Sequence, residues 1–376
     1  MRLSNAILTL MIGPAVPVPA PLPVIEALQS VQVTSARERS GFQLTFAVGK
    51  KSALQLALLP AGYLDPIVTR VIIMVTLNGI PSVIMDGLVT RQELQPSNEP
   101  GQSTLTVTGE DLTVAMDIVD KVVPYPGMSD GAKVALVLAP YAALGIVPNI
   151  VPPIALITQN PANKIESQAS ITDLAFLKSL ASRNGYVFYL EPGPLPGQNT
   201  AYFGPDISVP VPQQALSVNM DAHTNVESLS FSLDGLAKKI SIFTVLDPVT
   251  KKIPIPVPVP NVSISKPPLG VRPTPPAKIE LHNKGAQLQP EEAARDILSS
   301  LMNSSTAISG SGSLDVVHYG QLLRARTLVG VRGAGISYDG LYYVDSVTHK
   351  IKKGEYKQNF SLSRDGLISN TPVVMP

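Results

Sequence analysis

Four histidines (His223, His282, His318 and His349) and two adjacent acid pairs (Glu110–Asp111 and Glu291–Glu292) are the side chains best suited to hold a metal or move a proton. Their spacing argues against both roles. The histidines are widely separated, with none of the short intervals that bring two ligands to one ion. Each reads as a strand or surface histidine, and a structural hydrogen bond is the role expected of His349. Neighbouring carboxylates on a strand point to opposite faces and cannot work as a pair. At a helix start they favour the dipole instead, and both pairs are read that way, the second following Pro290. The run Gly330-Val-Arg-Gly-Ala-Gly335 imitates a phosphate loop but leads into a strand, so it reads as a glycine-rich β-turn. The chain has no cysteine, which removes disulfides, thiolate metal sites and cysteine nucleophiles together and fits a reducing cytoplasm. No catalytic, cofactor-binding or metal-binding residue is predicted, and no cofactor.

Composition points to β structure with covered surfaces. Among 376 residues, 36 are proline and 27 glycine, only 15% are charged, and none is tryptophan. Low charge with a mean hydropathy of +0.20 is unlike a disordered chain. A net charge of +1 gives no polyanion footprint, so no sequence-specific nucleic-acid partner is expected. No uncharged run reaches the ~18 residues of a membrane helix, and stable membrane insertion is not expected. The apolar start Met1–Gly13 runs into Pro14, Pro17, Pro19, Pro21 and Pro23, so residues 1–26 read as an extended arm packing on a neighbour. A signal peptide is the minority reading. Modest lysine clusters at 238–239, 251–252 and 350–353 are solvated turns or contacts to acidic partner surfaces.

A repeat organises the rest. Val83-Ile-Met-Asp-Gly-Leu88 leads to Thr104–Leu112, and Ile336-Ser-Tyr-Asp-Gly-Leu341 leads to Asn359–Leu367. Asp86 precedes Asp111 by 25 residues and Asp339 precedes Asp365 by 26. In each return strand apolar residues alternate with Thr, Ser or Asn, the period of a half-buried antiparallel strand. Residues 27–120 form the first β-unit: strands over 29–36 and 42–48, then an Asn78-Gly79 hairpin, then a short helix over 110–119. Residues 121–210 read as a mixed module with helices over 132–144 and, capped from Ser170, just before Gly185. Residues 211–376 return to β structure. They carry an insertion at about 247–313 that contains alternating prolines at 254, 256, 258 and 260 and a helix over 290–302. Proline cannot donate to a ladder, so the proline run is confined to an edge or an extended excursion.

The segments Ile171–Tyr189, Ala201–Gly204, Gly340–His349 and Phe360–Arg364 resemble phage baseplate hub proteins of the late control protein D group, related to the T4-type hub and to the N-terminal half of type VI secretion spikes. The order of elements matches over roughly residues 27–367. The resemblance implies a mainly β fold with an α+β middle module and two tube-like antiparallel β-barrel domains in one chain. It further implies a homotrimer with pseudo-sixfold symmetry that joins a hexameric tail tube to a trimeric spike in a virion tail or injection-particle baseplate, assembled in the bacterial host cytoplasm. Expected partners are a tail tube protein, a separate spike protein and other baseplate proteins. Catalysis is not expected. A tail-associated peptidoglycan hydrolase and a peripheral receptor-binding tail protein are the competing readings, the first lacking a paired acid and base.

Overall fold

A computed structural model describes residues 2–3, 6–14, 16–37, 39–49, 52–99, 102–152, 165–206, 211–246, 254–259, 268–282, 297 and 306–370. Its spine is one fourteen-stranded sheet to which both ends of the chain contribute. In chain order the first unit supplies Ala6–Pro14, Leu28–Ala36, Ser40–Ala47, Thr69–Leu77, Ile80–Gln95 and Thr104–Asp111. The second supplies Pro212–Ser217, Ser228–Leu233, Ile308–Asp315, Leu328–Arg332, Gly340–Lys352 and Glu355–Arg364. Numbered one to six within each unit, both sets pair in the order two, three, six, five, four, one. One pairing differs in sense. Ala6–Pro14 runs antiparallel to its neighbour, whereas Pro212–Ser217 runs parallel to its own.

The match extends to irregularities. The fifth strand of each unit has a bulge against the sixth, at Thr90 and at Asp345. Just before the fourth strand, Ile67 (φ 67°) and Arg326 (φ 62°) both take left-handed backbone. Their N–H groups donate to Val89 and Val344, the residues immediately before the two bulges, at 2.7 and 2.8 Å. Aligned on these marks, Val33–Phe42–Gly109–Val89 across the first unit matches Phe231–Gly310–Leu362–Val344 across the second. Bulk is exchanged along that row. A Cβ on Gly109 would lie 2.3 Å from the Phe42 ring, and one on Gly310 would lie 2.8 Å from the Phe231 ring.

The same alignment corrects the sequence register. Asp86-Gly87 and Asp339-Gly340 are offset by two residues: the position of Asp86 is held by Leu341, and that of Asp111 by Arg364. Each glycine is required for its own reason. A Cβ on Gly87 would meet the Glu110 carbonyl at 2.1 Å, while Gly340 sits at φ 117°.

Other expectations change. Residues 6–14 are no loose arm: Ala6, Leu8, Leu10 and Ile12 alternate into the main core, and the strand pairs along Thr69–Leu77. The proline run had masked that period-two pattern. Glu110 and Asp111 end a strand, and the helical turn is Leu112–Met116, capped by the Asp111 carboxylate accepting from Thr113 N. Among the described residues no sheet closes on itself, so the expected barrels are open within one chain. The helix expected over 290–302 lies outside the described residues apart from Ile297, as do Glu291 and Glu292.

The middle module has its own core, centred on Leu112, Val134, Leu177, Phe188 and Phe203. Helix Asp130–Leu138 is capped by Ser129 and tightens into a 3-10 turn at Pro140, where a backbone donor is lost. Helix Asp173–Arg183 is capped by Thr172, because Ser170 is diverted to φ 50° at a bulge. Lys239–Leu246, just before the insertion, is flanked by the insertion's strands Lys278–His282 and Pro254–Val259, the latter taking the sheet edge as its prolines require.

Candidate functional site

Among the described residues the sequence-selected polar side chains do not converge. His223 lies in an exposed turn, His282 ends an exposed strand, and the His318 ring nitrogen lies 2.9 Å from Thr224 O. His349 is buried, with Nδ1 2.8 Å from Tyr356 Oη. Burial, aided by nearby Arg324, lowers its pKa to about 4, so the ring is neutral at pH 7. Burial also raises Asp111, more than its hydrogen bonds from Thr113 lower it. No group of three His, Asp or Glu side chains is placed to hold a metal ion among the described residues. A cleft between Ser82–Ile84 and Leu322–Arg326 has a volume of about 60 Å³, room for only a few waters. Gly333 and Gly335 make turns at positive φ after strand Leu328–Arg332, with no helix to cradle a phosphate. Lys238 is buried and Lys239 pairs with Glu280 at 2.8 Å, while Lys350, Lys352 and Lys353 are exposed at a hairpin end.

What the fold does build is an extended face. The two units join where Leu28–Ala36 pairs antiparallel with the second half of Gly340–Lys352, from Ser346↔Ala36 to Lys352↔Ser30. Val31, Val33, Val347, His349 and Ile351 turn inward at this joint. On the other face hydroxyls meet across strands: Thr34 with Thr348 at 3.1 Å, Ser346 with Ser361 at 2.6 Å, and Ser230 with Ser311 at 3.1 Å. Thr104, Thr106 and Thr108 continue it in the first unit. Cross-strand Ser and Thr pairs of this kind stabilise a sheet without adding charge. The composition signal for this face was the Ser/Thr alternation; its continuity across both units depends on a pairing between residues more than 300 positions apart and could not be read from local pattern.

The two units use equivalent positions to carry different neighbours. In the first, buried Arg70 donates to both oxygens of Asp86 at 2.7 Å, and Asn199 donates to the same carboxylate at 2.8 Å. Arg70 also reaches Leu144 O at 3.0 Å and Gly197 O at 3.3 Å, so this ion pair fixes the middle module to the sheet. The matching residues in the second unit are Leu328 and Leu341, which pack with Leu269 and Tyr343. There Asp365 accepts from Leu269 N at 2.8 Å and Gly270 N at 3.1 Å, holding the edge strand Gly270–Pro273. Arg364 is wholly buried, stacks over Tyr342 and donates to the carbonyls of Asp339 and Ser337 at 2.8 and 2.7 Å.

No protein-family model and no curated protein matches the sequence. Solved structures do match. A 43 kDa tail protein of prophage MuSo2 from Shewanella oneidensis aligns over 96% of this chain and 99% of its own, with TM-score 0.63 and 13% identity. A tail protein from Neisseria meningitidis MC58 aligns over 97% and 98%, with TM-score 0.59 and 14% identity. An Escherichia coli type VI secretion component, described as structurally similar to the T4 tail proteins gp27 and gp5, aligns over 93% of this chain and 77% of its own, with TM-score 0.54 and 12% identity. The chain thus has the fold shared by these phage tail proteins and this type VI secretion component.

Proposed function

We propose that the chain is a non-enzymatic structural hub of a contractile tail or related injection particle. In this reading three copies form a ring with pseudo-sixfold symmetry between a hexameric tail tube and a trimeric spike, in contact with other baseplate proteins. The observation that carries it is the repeat: two six-stranded units pair in one order and lie edge to edge in one sheet. Two similar units per chain let threefold symmetry present six similar faces. The tube-like barrels are completed by neighbouring copies, and the hydroxyl-rich face lines the passage. Residues 27–120, together with the strand Ala6–Pro14, and residues 211–376 are the two tube-forming domains, with 121–210 as the module between them.

Native mass spectrometry of the purified chain, with and without tube and spike proteins from the same particle, tests this reading. A trimer, formed alone or on those partners, supports it. A chain that remains a monomer under both conditions overturns it. Clearing of a cell-wall suspension by the chain would overturn the non-enzymatic assignment.

A further inference from the structure

The middle module buries a lysine, a carboxylate and a carboxamide at one point. Asp130 and Lys133 lie one turn apart at the start of helix Asp130–Leu138, and Asn184 caps the end of helix Asp173–Arg183. Their exposures are 1%, 0% and 7% in that order. The carboxylate joins the other two. Lys133 Nζ donates to Asp130 Oδ1 at 3.1 Å, and Asn184 Nδ2 donates to Oδ2 at 2.8 Å. Arg183 Nη2 donates to Oδ1 at 2.7 Å. Asn184 Nδ2 also donates to Leu180 O at 2.7 Å, which together with the carboxylate fixes the plane of the carboxamide. Core residues Val134, Leu177, Leu180 and Ala181 flank these groups along the two helices. Arg183 and Asn184 already bind the second helix to Asp130, so a lysine buried beside them is a costly addition to a purely structural tie.

We infer that Lys133 and Asn184 are joined by an amide bond between their side chains, formed by the folded chain itself with Asp130 as the general base. Of the two cations on Asp130, arginine keeps its proton and lysine is able to give one up. Transfer of a proton from Lys133 Nζ to Asp130 leaves a neutral amine, the nucleophilic form. Nζ then attacks Asn184 Cγ, and the carbonyl π electrons move onto Oδ1. Asp130 passes its proton to Nδ2, and the Cγ–Nδ2 bond breaks as the carbonyl reforms. The second proton on Nζ goes to Asp130 and leaves with the departing ammonia. The products are one secondary amide and one ammonium ion, Asp130 ends as the carboxylate it began as, and the balance needs no other reactant. Burial keeps water, the competing nucleophile, away from Cγ. The other competitor is ring closure by the backbone nitrogen of an Asn-Gly step, and here Gly185 N is engaged, donating to Ser182 O at 3.0 Å. The bond staples the first turn of one helix to the end of the other and so opposes local opening of the module.

Intact-mass measurement of the purified full chain under denaturing conditions, followed by protease digestion and tandem mass spectrometry, tests the bond. Most of the folded protein should be lighter than its sequence by one ammonia and should yield a branched peptide joining Lys133 to Asn184. Lys133→Arg, which removes the nucleophile, and Asp130→Asn, which keeps the side-chain shape without the base, should each show the full mass of their own sequences and linear peptides only. A folded parent chain at full mass, with linear Lys133 and Asn184 peptides, overturns the inference whether or not the variants fold. Loss of ammonia without a branch also overturns it, since that is ring closure at Asn78-Gly79 or Asn184-Gly185. A branch that persists in Asp130→Asn overturns the role given to Asp130. None of these results bears on the hub reading.

Discussion

The two β-units follow one pairing order with unlike letters, and the contrast separates what the fold needs from what each unit carries. Both keep the bulge, the left-handed residue beside it and the inward-facing apolar alternation. They part on the opposite face. The first unit has Arg70 and Asp86 where the second has Leu328 and Leu341. One pair holds the middle module through carbonyls and an amide, the other packs against Leu269 beside the edge strand. A duplicated sheet has therefore kept its register and changed its attachments.

The largest effect is expected where that difference is sharpest. Asp86→Leu leaves Arg70 buried without its carboxylate and should cost about 3–5 kcal/mol in denaturant unfolding. The double change Arg70→Leu/Asp86→Leu copies the second unit and should recover part of the loss. If the single change costs under about 1 kcal/mol, well below the usual penalty for a stranded buried charge, the ion pair is not what holds the middle module.

A second contrast lies at the internal joint, where His349 occupies the position held by Leu94 in the first unit. The folded state holds His349 neutral to about pH 4, whereas an unfolded histidine protonates near 6.5. The unfolded chain thus binds more protons between those values, and stability falls as pH drops through that window, by at most roughly 3 kcal/mol. The denaturation midpoint between pH 7 and 4 reads this directly. His349→Leu should remove that part of the slope, and an unchanged slope would assign the acid sensitivity to other groups.

The exchanged bulk along the matched row gives a smaller effect. Gly109→Ala should cost about 1–3 kcal/mol by crowding the Phe42 ring, and Gly310→Ala a lesser amount against Phe231. Equal stability of both variants with the parent would show that the row is loosely packed.

Much of this was legible in the sequence. Alternation found the hairpins, and Asn78-Gly79 marks a turn whose two residues take φ 50° and 81°. The edge location of the 254–259 prolines followed from their missing donor. Three things were not legible. The strand Ala6–Pro14 lies behind a proline run that dominates its composition. The Asp-Gly register misled because one glycine answers a close approach and the other a positive φ, so similar letters do different work. The joint between Leu28–Ala36 and Gly340–Lys352 is a long-range pairing with no local signature. Among the described residues the polar side chains singled out are not brought together, and the shared face of serine and threonine shows in the alternation only as strand.

The central claim is that the repeat exists to turn three chains into a sixfold-matched ring. A cryo-EM reconstruction of the chain in its assembled particle tests it most directly. The account predicts three copies on the particle axis, with the two β-units alternating around one continuous ring of strands and equivalent under a rotation of about 60°, the step of a sixfold axis. Copies placed off the axis, or an axial ring in which only one of the two units faces the passage, would contradict it.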